Sequence, residues 1–378
     1  MGKRWGIRAV KTASDIIELF GIIPKKNINT SKKYFMVLRS DIVNEICKED
    51  KGENTELMKR LKRELRRLQI YYKIGSHLKI KDKAITKKLL NQPVRTIPSL
   101  SDEMVKWIES GKPMLLARLG GTEGRVAGEY CEKKLGLRKH YSQDVCNWLY
   151  TTSGFFADDY ENKEVAMDEY AELTIDGIKY CDYLSAMFPT KIYMPFFFKY
   201  YAKNAVATFS DFGPYFETPI ENTWVKALVD KKVLVINSFS DSIEFQYKRK
   251  SELVKSKEYE LPAFELITYK TMVTQCDERP NGYKNFFEVY NKMLEDIKQI
   301  DFDIALIGAG AYGFPLAVEI KKMGKIAIET CGSTPLFFGV YGERNLREGV
   351  GKHMTDAWIR PIEEKPKRYK EIEGGCYW

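Results

Sequence analysis

Residues 303–332 read DIALIGAGAYGFPLAVEIKKMGKIAIETCG, and this stretch decides the fold class. An apolar run leads into Gly308-x-Gly310-x-x-Gly313, a helical pattern follows, and a second apolar run ends at Glu329. Strand, glycine turn, helix and strand in this order are typical of a βαβ unit in a parallel sheet.

Similar units recur upstream of this stretch. PMLLARLGGTEG (113–124) reads as a strand with a glycine turn, and KKVLVINSFSDSIEFQYKRK (231–250) reads as strand, turn and helix. VAMDEYAELTIDGIKYCDYL (165–184) and FFEVYNKMLEDIKQI (286–300) have helical patterns. We therefore predict an α/β fold with a Rossmann-like, mostly parallel sheet and helices on both faces, whose ligand site lies at the carboxyl ends of the strands.

The charge is unevenly distributed along the 378 residues. The net charge is +9, yet residues 1–100 alone hold 24 Lys and Arg against 10 Asp and Glu. NQPVRTIPSL (91–100) carries two prolines and is typical of a linker. We predict a basic, mainly helical N-terminal region at 1–95 and a Rossmann-like domain at 96–378.

The basic region contains an amphipathic helical pattern at 54–72, and two interpretations of it stay open. Basic residues surround the apolar stripe, so the helix either lies on an anionic membrane surface or packs its leucines on the main domain. Nucleic acid is disfavoured, since no binding motif accompanies the basic run. The stripe consists of Leu57, Leu61, Leu65, Leu68 and Tyr72.

Location and redox state follow from what the sequence lacks. We find no signal peptide and no apolar run near the roughly 20 residues of a membrane helix. Seven cysteines without a Cys-x-x-Cys pair are typical of reduced thiols. We expect a cytoplasmic protein. Peripheral binding to the inner face of the membrane is compatible with this location.

The turn Gly308-x-Gly310-x-x-Gly313 has two interpretations, one as a ligand site and one as a structural element. Its glycines permit tight turning, close approach of a phosphate and close helix packing. Glu329 lies where a carboxylate can accept hydrogen bonds from ribose hydroxyls, and Tyr312 lies within the turn. A dinucleotide site, and hence an NAD(P)-dependent oxidoreductase, is one interpretation. The other is that the glycines serve packing alone.

Arg118, Gly120, Gly121, Thr122 and Glu123 form a second candidate turn, directly after a strand. The arginine could hold a diphosphate bidentately, and the glutamate could act as a general base, hold sugar hydroxyls or bind a divalent cation. An Arg–Glu ion pair that closes the turn is the alternative.

A third cluster, Ser238, Ser240, Asp241 and Ser242, lies between a strand and a helix. Its functional interpretation is contact with a phosphate or sugar, and its minimal one is helix capping with Asp241 as N-cap. The aromatic stretch upstream, KYYAKNAVATFSDFGPYFETPIENTW (199–224), carries Asp211 as a second candidate base.

These turns, together with TPLFFGVYGER (334–344) and the final GGCYW, resemble bacterial surface-polysaccharide biosynthesis proteins of the D-type glycosyltransferase family (the GT-D fold, DUF1792-like). The resemblance covers about residues 96–378. It implies a Rossmann-like enzyme that uses a nucleotide sugar. That family has Asp-x-Glu at its metal and nucleotide site, whereas this chain has Gly121-Thr122-Glu123. Glu123 carries over and the aspartate does not, so dependence on Mn²⁺ or Mg²⁺ is left open.

The resemblance and the residues together predict a glycosyltransferase that moves a sugar from a nucleoside diphosphate sugar to a hydroxyl of a surface-polysaccharide or lipid-linked glycan. Glu123 or Asp211 would be the base. The remaining candidates in the three turns, with Glu329, would bind the donor. The oxidoreductase and a non-catalytic scaffold of the same fold are the alternatives.

Overall fold

The computed structural model describes residues 56–77, 82–90, 92–185, 193–208, 213–276 and 278–378. The chain divides into two compact units, Met1–Asn91 and Gln92–Trp378. Residues of the predicted linker belong to the second unit, because the Arg95 N–H donates to the Ala207 carbonyl at 2.9 Å.

In the first unit, helix α1 (Glu56–His77) packs against α2 (Asp82–Leu89). The hydroxyls of Tyr72 and Thr86 lie 2.6 Å apart, which ties the two helices together. Leu65, Leu68 and Tyr72 are buried, as the amphipathic pattern predicts, and so is Lys62.

No helix in the described part of the chain has both the length and the apolar character needed to cross a membrane.

The second unit is built on a seven-stranded sheet with the strand order β3-β2-β1-β7-β6-β4-β5. Every neighbouring pair is parallel, which confirms the predicted α/β class with a parallel sheet. The strands are β1 (Met114–Arg118), β2 (Tyr183–Ser185), β3 (Val206–Thr208), β4 (Lys232–Asn237), β5 (Glu265–Lys270), β6 (Ile304–Gly308) and β7 (Ile326–Glu329).

Helices connect and cover these strands. Short helical segments include a π-helical turn, Leu149–Ser153, and the 3₁₀ helices Trp224–Leu228 and Cys331–Phe338. The α-helices of this unit are α3 (Ile97–Ser110), α4 (Gly121–Lys134), α5 (Gln143–Trp148), α6 (Lys163–Ile178), α7 (Tyr193–Tyr200), α8 (Ser240–Tyr247), α9 (Phe286–Lys298), α10 (Gly313–Lys322) and α11 (Glu343–Arg347).

The sheet is buried on both faces. Met114 and Leu116 of β1 lie in one apolar cluster with Ile108 of α3 and with Trp224. Leu115 of β1 is equally buried, and the alternation of side chains along a strand places it on the opposite face. Helix α10 packs on β1, β6 and β7. Burial on both faces explains why these strands read as continuous apolar runs rather than as alternating ones.

The strand order also fixes where a ligand can bind. The connection from β4 leads to β5 toward one edge of the sheet, whereas that from β6 leads to β7 toward the opposite edge. The order in which strands are added therefore reverses between the parallel neighbours β4 and β6. Such a reversal leaves a crevice at the carboxyl ends of the strands. Asn237 and Gly308 are register partners at this point.

Candidate functional site

A cavity of about 370 Å³ lies at the carboxyl edge of the sheet. The ends of β1, β4, β6 and β7 contribute Arg118, Asn237, Gly308 and Glu329 to its wall. Two turns that are almost 200 residues apart in sequence thus meet at one place. The predicted site residues in the wall are Arg118, Gly120, Gly121, Thr122, Glu123, Ser238, Gly308, Gly310, Tyr312, Gly313 and Glu329.

The turn after β1 presents a charged pair to the cavity. Arg118 is half-buried at the end of the strand, and Gly120 is the N-cap of α4. A Cβ atom on Gly120 would lie 2.0 Å from Oε2 of Glu123, so the Glu123 carboxylate folds back over this glycine. A carboxylate in the first turn of a helix is stabilised by the N-terminal N–H groups. Glu123 therefore lies at the start of α4 with its carboxylate at the cavity wall.

The turn after β6 packs tightly against other parts of the protein. A Cβ on Gly308 would lie 2.3 Å from the Cys331 carbonyl oxygen, and one on Gly310 would lie 2.6 Å from the Ser153 carbonyl oxygen. Gly310 also has a φ of +52°, which side-chain-bearing residues rarely adopt. Packing within the protein accounts for Gly308 and Gly310, in line with the interpretation that these glycines serve packing alone. The turn still forms part of the cavity wall.

Glu329 lies between the two turns. Its Oε2 accepts the backbone N–H of Arg118 at 2.9 Å, and its Oε1 lies 3.2 Å from the position of a Cβ on Gly313. Only 3% of the residue is exposed. Burial raises the pKa of the carboxyl to about 8, and the charge of Glu123 acts in the same direction. At neutral pH Glu329 keeps its proton and can donate a hydrogen bond as well as accept one.

In the third cluster, only Ser238 lines the cavity. Helix α8 begins at Ser240 and its N-cap is Phe239, so the prediction of Asp241 as N-cap is wrong. The reason is that the Asn237 side chain accepts the Phe239 N–H at 2.9 Å and closes the turn earlier. The Ser240 hydroxyl donates to the Asn237 carbonyl and is buried.

Asp241 and Ser242 bind other protein groups. Asp241 forms an exposed ion pair of 2.5 Å with Lys270, which itself lines the cavity. Ser242 is fully buried, and its hydroxyl donates to Glu363 Oε2 at 2.5 Å. Ser240 and Ser242 are therefore buried behind the wall, whereas Asp241 is at the protein surface, where it pairs with Lys270.

Two further residues were predicted to belong to the site, Asp211 and Tyr312. Asp211 lies outside the described residues. Tyr312 belongs to the cavity wall, yet only 2% of it is exposed; its ring stacks on Phe286 with centroids 4.5 Å apart, and its hydroxyl lies 3.1 Å from that of Thr274. The ring supports the wall from behind.

Several wall residues were not predicted. Thr271–Gln275 follows β5, a strand that we did not predict, and Ser153 comes from the π-helical turn. For the last group of wall residues, the sequence signals were the resemblances of TPLFFGVYGER, which contains Arg344, and of GGCYW, which contains Tyr377 and Trp378. These further wall residues are Arg344, Glu363, Glu364, Glu373, Tyr377 and Trp378.

The charges at the cavity are of both signs. Arg118, Lys270 and Arg344 are its cationic side chains. Arg344 forms ion pairs with Glu348 at 3.0 Å and Glu373 at 3.2 Å, so carboxylates already offset its charge.

The donor set does not fit the divalent cation that the family resemblance implies. Gly121 stands where the family has its first carboxylate, which leaves Glu123 as the one carboxylate of that triplet. Across the part of the chain that the structure describes, no three His, Cys, Asp or Glu side chains are grouped so that they could hold a metal ion.

Comparisons with known proteins give two similar solved structures. No family model and no curated protein matches the chain. One structure is the selenomethionine-substituted domain of unknown function 1792, with a TM-score of 0.34. The other is described as the highly conserved domain of unknown function 1792 with a distinct glycosyltransferase fold, with a TM-score of 0.33. Each is 14% identical and covers 77% of this chain and 98% of the solved one. Both are of the type that the sequence resembles, and the function must be inferred from the site of this chain.

Proposed function

We propose that this chain is a glycosyltransferase that moves a sugar from a nucleoside diphosphate sugar to a hydroxyl of a surface-polysaccharide or lipid-linked glycan. One observation carries the proposal: Arg118, Glu123 and Glu329 meet at a single cavity at the carboxyl edge of a parallel sheet. A cation, a carboxylate and a protonated carboxyl group at such an edge suit a phosphorylated ligand with hydroxyl groups.

In this proposal Arg118 binds the donor diphosphate. A guanidinium group can donate two parallel hydrogen bonds to phosphate oxygens and offset the charge of the leaving group. The N-termini of α4 and α10 are less available for this purpose, since the carboxyl groups of Glu123 and Glu329 lie beside them. Lys270 at the rim is the second source of positive charge.

Glu123 takes the role of general base. It is half-buried in the wall, close to the arginine that would hold the leaving group. A carboxylate there can accept the proton of the acceptor hydroxyl as the new glycosidic bond forms. Glu329, protonated at neutral pH, donates a hydrogen bond to a hydroxyl or phosphate oxygen of the donor.

The oxidoreductase alternative loses its main support. Its sequence signal was the glycine fingerprint, and contact with backbone atoms explains Gly308 and Gly310 without a nucleotide. Contact with an anionic membrane stays part of the proposal, because Arg60, Arg63 and Arg67 of α1 are exposed.

The test is thermal unfolding of the full chain with UDP, GDP and CMP sugars, free UDP, NAD⁺ and NADPH, each with and without Mn²⁺. A ligand at 100 times its Kd stabilises by about 2.7 kcal/mol. We expect one class of nucleotide sugar to raise Tm and NAD(P) to leave it unchanged. Stabilisation by NAD(P) alone would overturn the proposal.

Two variants locate the binding. Arg118→Lys keeps the charge but loses the planar fork, so we expect a nucleotide affinity at least about tenfold lower. Arg347→Lys is the matched control, since Arg347 is exposed in α11 and outside the cavity wall. Equal affinities in the two variants would remove Arg118 from the site.

A further inference from the structure

A second cavity, of about 310 Å³, shares a structural element with the first. The 3₁₀ helix Cys331–Phe338 contributes Cys331 and Pro335 to the wall of the first cavity and Leu336 and Phe337 to that of the second. We name the second one the aromatic cavity after four of its wall residues. These are Tyr215, Phe216, Tyr259 and Trp358.

Contacts with neighbouring groups hold two of these rings, Phe216 and Trp358, in position. Phe216 stacks on His353 with centroids 5.2 Å apart and packs on Trp358 at 5.8 Å. The Trp358 indole N–H donates to the Leu253 carbonyl at 2.7 Å. Phe216 nevertheless remains half-exposed, as does Tyr259 on the opposite segment. Partly exposed aromatic rings around a concave space are typical of small-molecule sites.

Polar groups of both signs surround these rings. The exposed Glu217 carboxylate forms an ion pair with Lys352 and lies 3.8 Å from Nε2 of His353. Lys250 and Lys255 lie in the same wall. Burial lowers the pKa of His353, so its imidazole is neutral at neutral pH and offers one donor and one acceptor.

This combination selects among classes of ligand. A purely apolar chain would remove water from charged groups and give them no hydrogen bonds in return. For an anion, the charges of Glu217 and Lys250 provide little net attraction, because Lys352 and Glu260 already offset them. A neutral sugar ring has an apolar C–H face that can pack on an aromatic ring, and its hydroxyls both donate and accept hydrogen bonds.

We propose that the aromatic cavity binds a neutral sugar ring of the acceptor glycan, outside the reacting position. The role as acceptor site rests on the proposed transferase function, whereas sugar binding itself does not. The wall helix Cys331–Phe338 separates the bound ring from the donor, so the glycan would pass around it to bring its reacting hydroxyl to Glu123. The aromatic stretch noted in the sequence, part of which forms this wall, thereby acquires a function.

The test is saturation-transfer NMR on the full chain with the methyl glycosides of glucose, galactose, mannose, rhamnose and N-acetylglucosamine. We expect at least one glycoside to bind and Phe216→Ala to weaken it by about tenfold or more. Phe245→Ala is the matched control, because Phe245 is an exposed phenylalanine outside both cavities. Glu217→Gln, at a site that is 72% exposed, tests the rim without disturbing the core, and Glu221→Gln is its control.

Each outcome decides a separate question. No glycoside binding, or binding that both cavity variants leave unchanged, overturns the inference. Decyl phosphate that binds here in place of sugars also overturns it, in favour of a lipid. Glycoside binding that both cavity variants weaken, in a chain that binds no nucleotide sugar, supports the sugar site and refutes the transferase. Nucleotide-sugar binding without any glycoside binding supports the transferase and refutes the sugar site.

Discussion

The turn after β1 and the turn after β6 both place glycines at the carboxyl end of a strand, but different atoms lie beside those glycines. At Gly120 the neighbouring atom is the carboxylate of Glu123, at the far end of a flexible side chain. At Gly308 it is the backbone carbonyl of Cys331, and at Gly310 that of Ser153.

The difference separates a glycine that serves the site from one that serves the fold. A side-chain carboxylate can rotate away from a new methyl group, whereas a backbone carbonyl held by neighbouring elements cannot move without a shift of the chain. Gly308 and Gly310 are therefore structural, and Gly120 after β1 is placed to influence chemistry.

Gly308→Ala should cause the largest loss of stability. The new Cβ would lie 2.3 Å from the Cys331 carbonyl and 2.4 Å from Thr334 Oγ1. Overpacking typically costs about 1–3 kcal/mol, and backbone contact this close points to the upper end. Urea unfolding of the variant and the parent chain measures the loss.

Gly351→Ala is the control for that variant. A Cβ there would meet only Leu346 Cδ2, at an ordinary 3.6 Å. We expect a change in unfolding free energy within about 0.5 kcal/mol, as at unconstrained surface sites. A Gly308 variant as stable as this control would mean that the β6 turn is not fixed by packing.

Glu329, which contacts both turns, should make the stability of the fold depend on pH, and Glu329→Gln should remove that dependence. The ordinary pKa of 4.5 applies to the unfolded chain and the raised value, about 8, to the folded one. Between these values the unfolded chain has lost the proton that the folded chain keeps, so this contribution to stability is complete below pH 4.5 and is lost as pH rises to 8. The slope is at most about 1.4 kcal/mol per pH unit.

Glutamine keeps an acceptor for the Arg118 N–H but does not titrate. The variant should therefore gain stability relative to the parent chain as pH rises from 5 to 8, which unfolding curves at both values would show. Parallel pH profiles would mean that Glu329 is ionised in the folded protein.

Gly120→Ala should change function far more than stability. The φ of −57° suits alanine, so we expect a loss below about 1 kcal/mol. The methyl group would displace the Glu123 carboxylate, and in the proposed transferase the turnover should fall at least about tenfold. Sugar transfer and thermal unfolding, measured on the same preparation, would test both parts; undiminished transfer would remove Glu123 as the base.

Asp241→Asn should have the smallest effect. Its ion pair with Lys270 is more than half exposed, and such pairs contribute about 0–1 kcal/mol. The change would release Lys270 toward the cavity, so nucleotide affinity should stay equal or increase. Titration calorimetry measures it, and a clear loss of affinity would show that Asp241 contacts the ligand directly.

Local sequence features predicted four strands of the sheet and the turns that follow them. Continuous apolar runs mark β1, β4, β6 and β7, because strands buried on both faces are apolar throughout. Glycines and polar residues after these runs mark the turns, which is why Arg118, Glu123 and Glu329 were found. The three residues of β2 and of β3 are too few for a periodic signal, and both strands were missed.

Contacts between distant segments could not be predicted in this way. Nothing near Gly310 indicates that Ser153 lies beside it, and nothing near Ser242 indicates Glu363. Arg344 and Trp378 reach the cavity only through the packing of the final third of the chain. The burial that raises the pKa of Glu329 likewise depends on residues from several strands and helices.

The hydrogen bond between Arg118 and Glu329 spans 211 residues of sequence, and it has a consequence for folding. β1 is an interior strand of the sheet, but its partner β7 is synthesised long after it. At the usual 5–20 residues per second, that interval is roughly 10–40 seconds. During synthesis β1 therefore remains an apolar strand with one open edge, of the kind that pairs with other chains. We expect slow folding, as for other parallel sheets whose strands pair across long stretches of sequence, and a need for chaperone protection until β7 has been made.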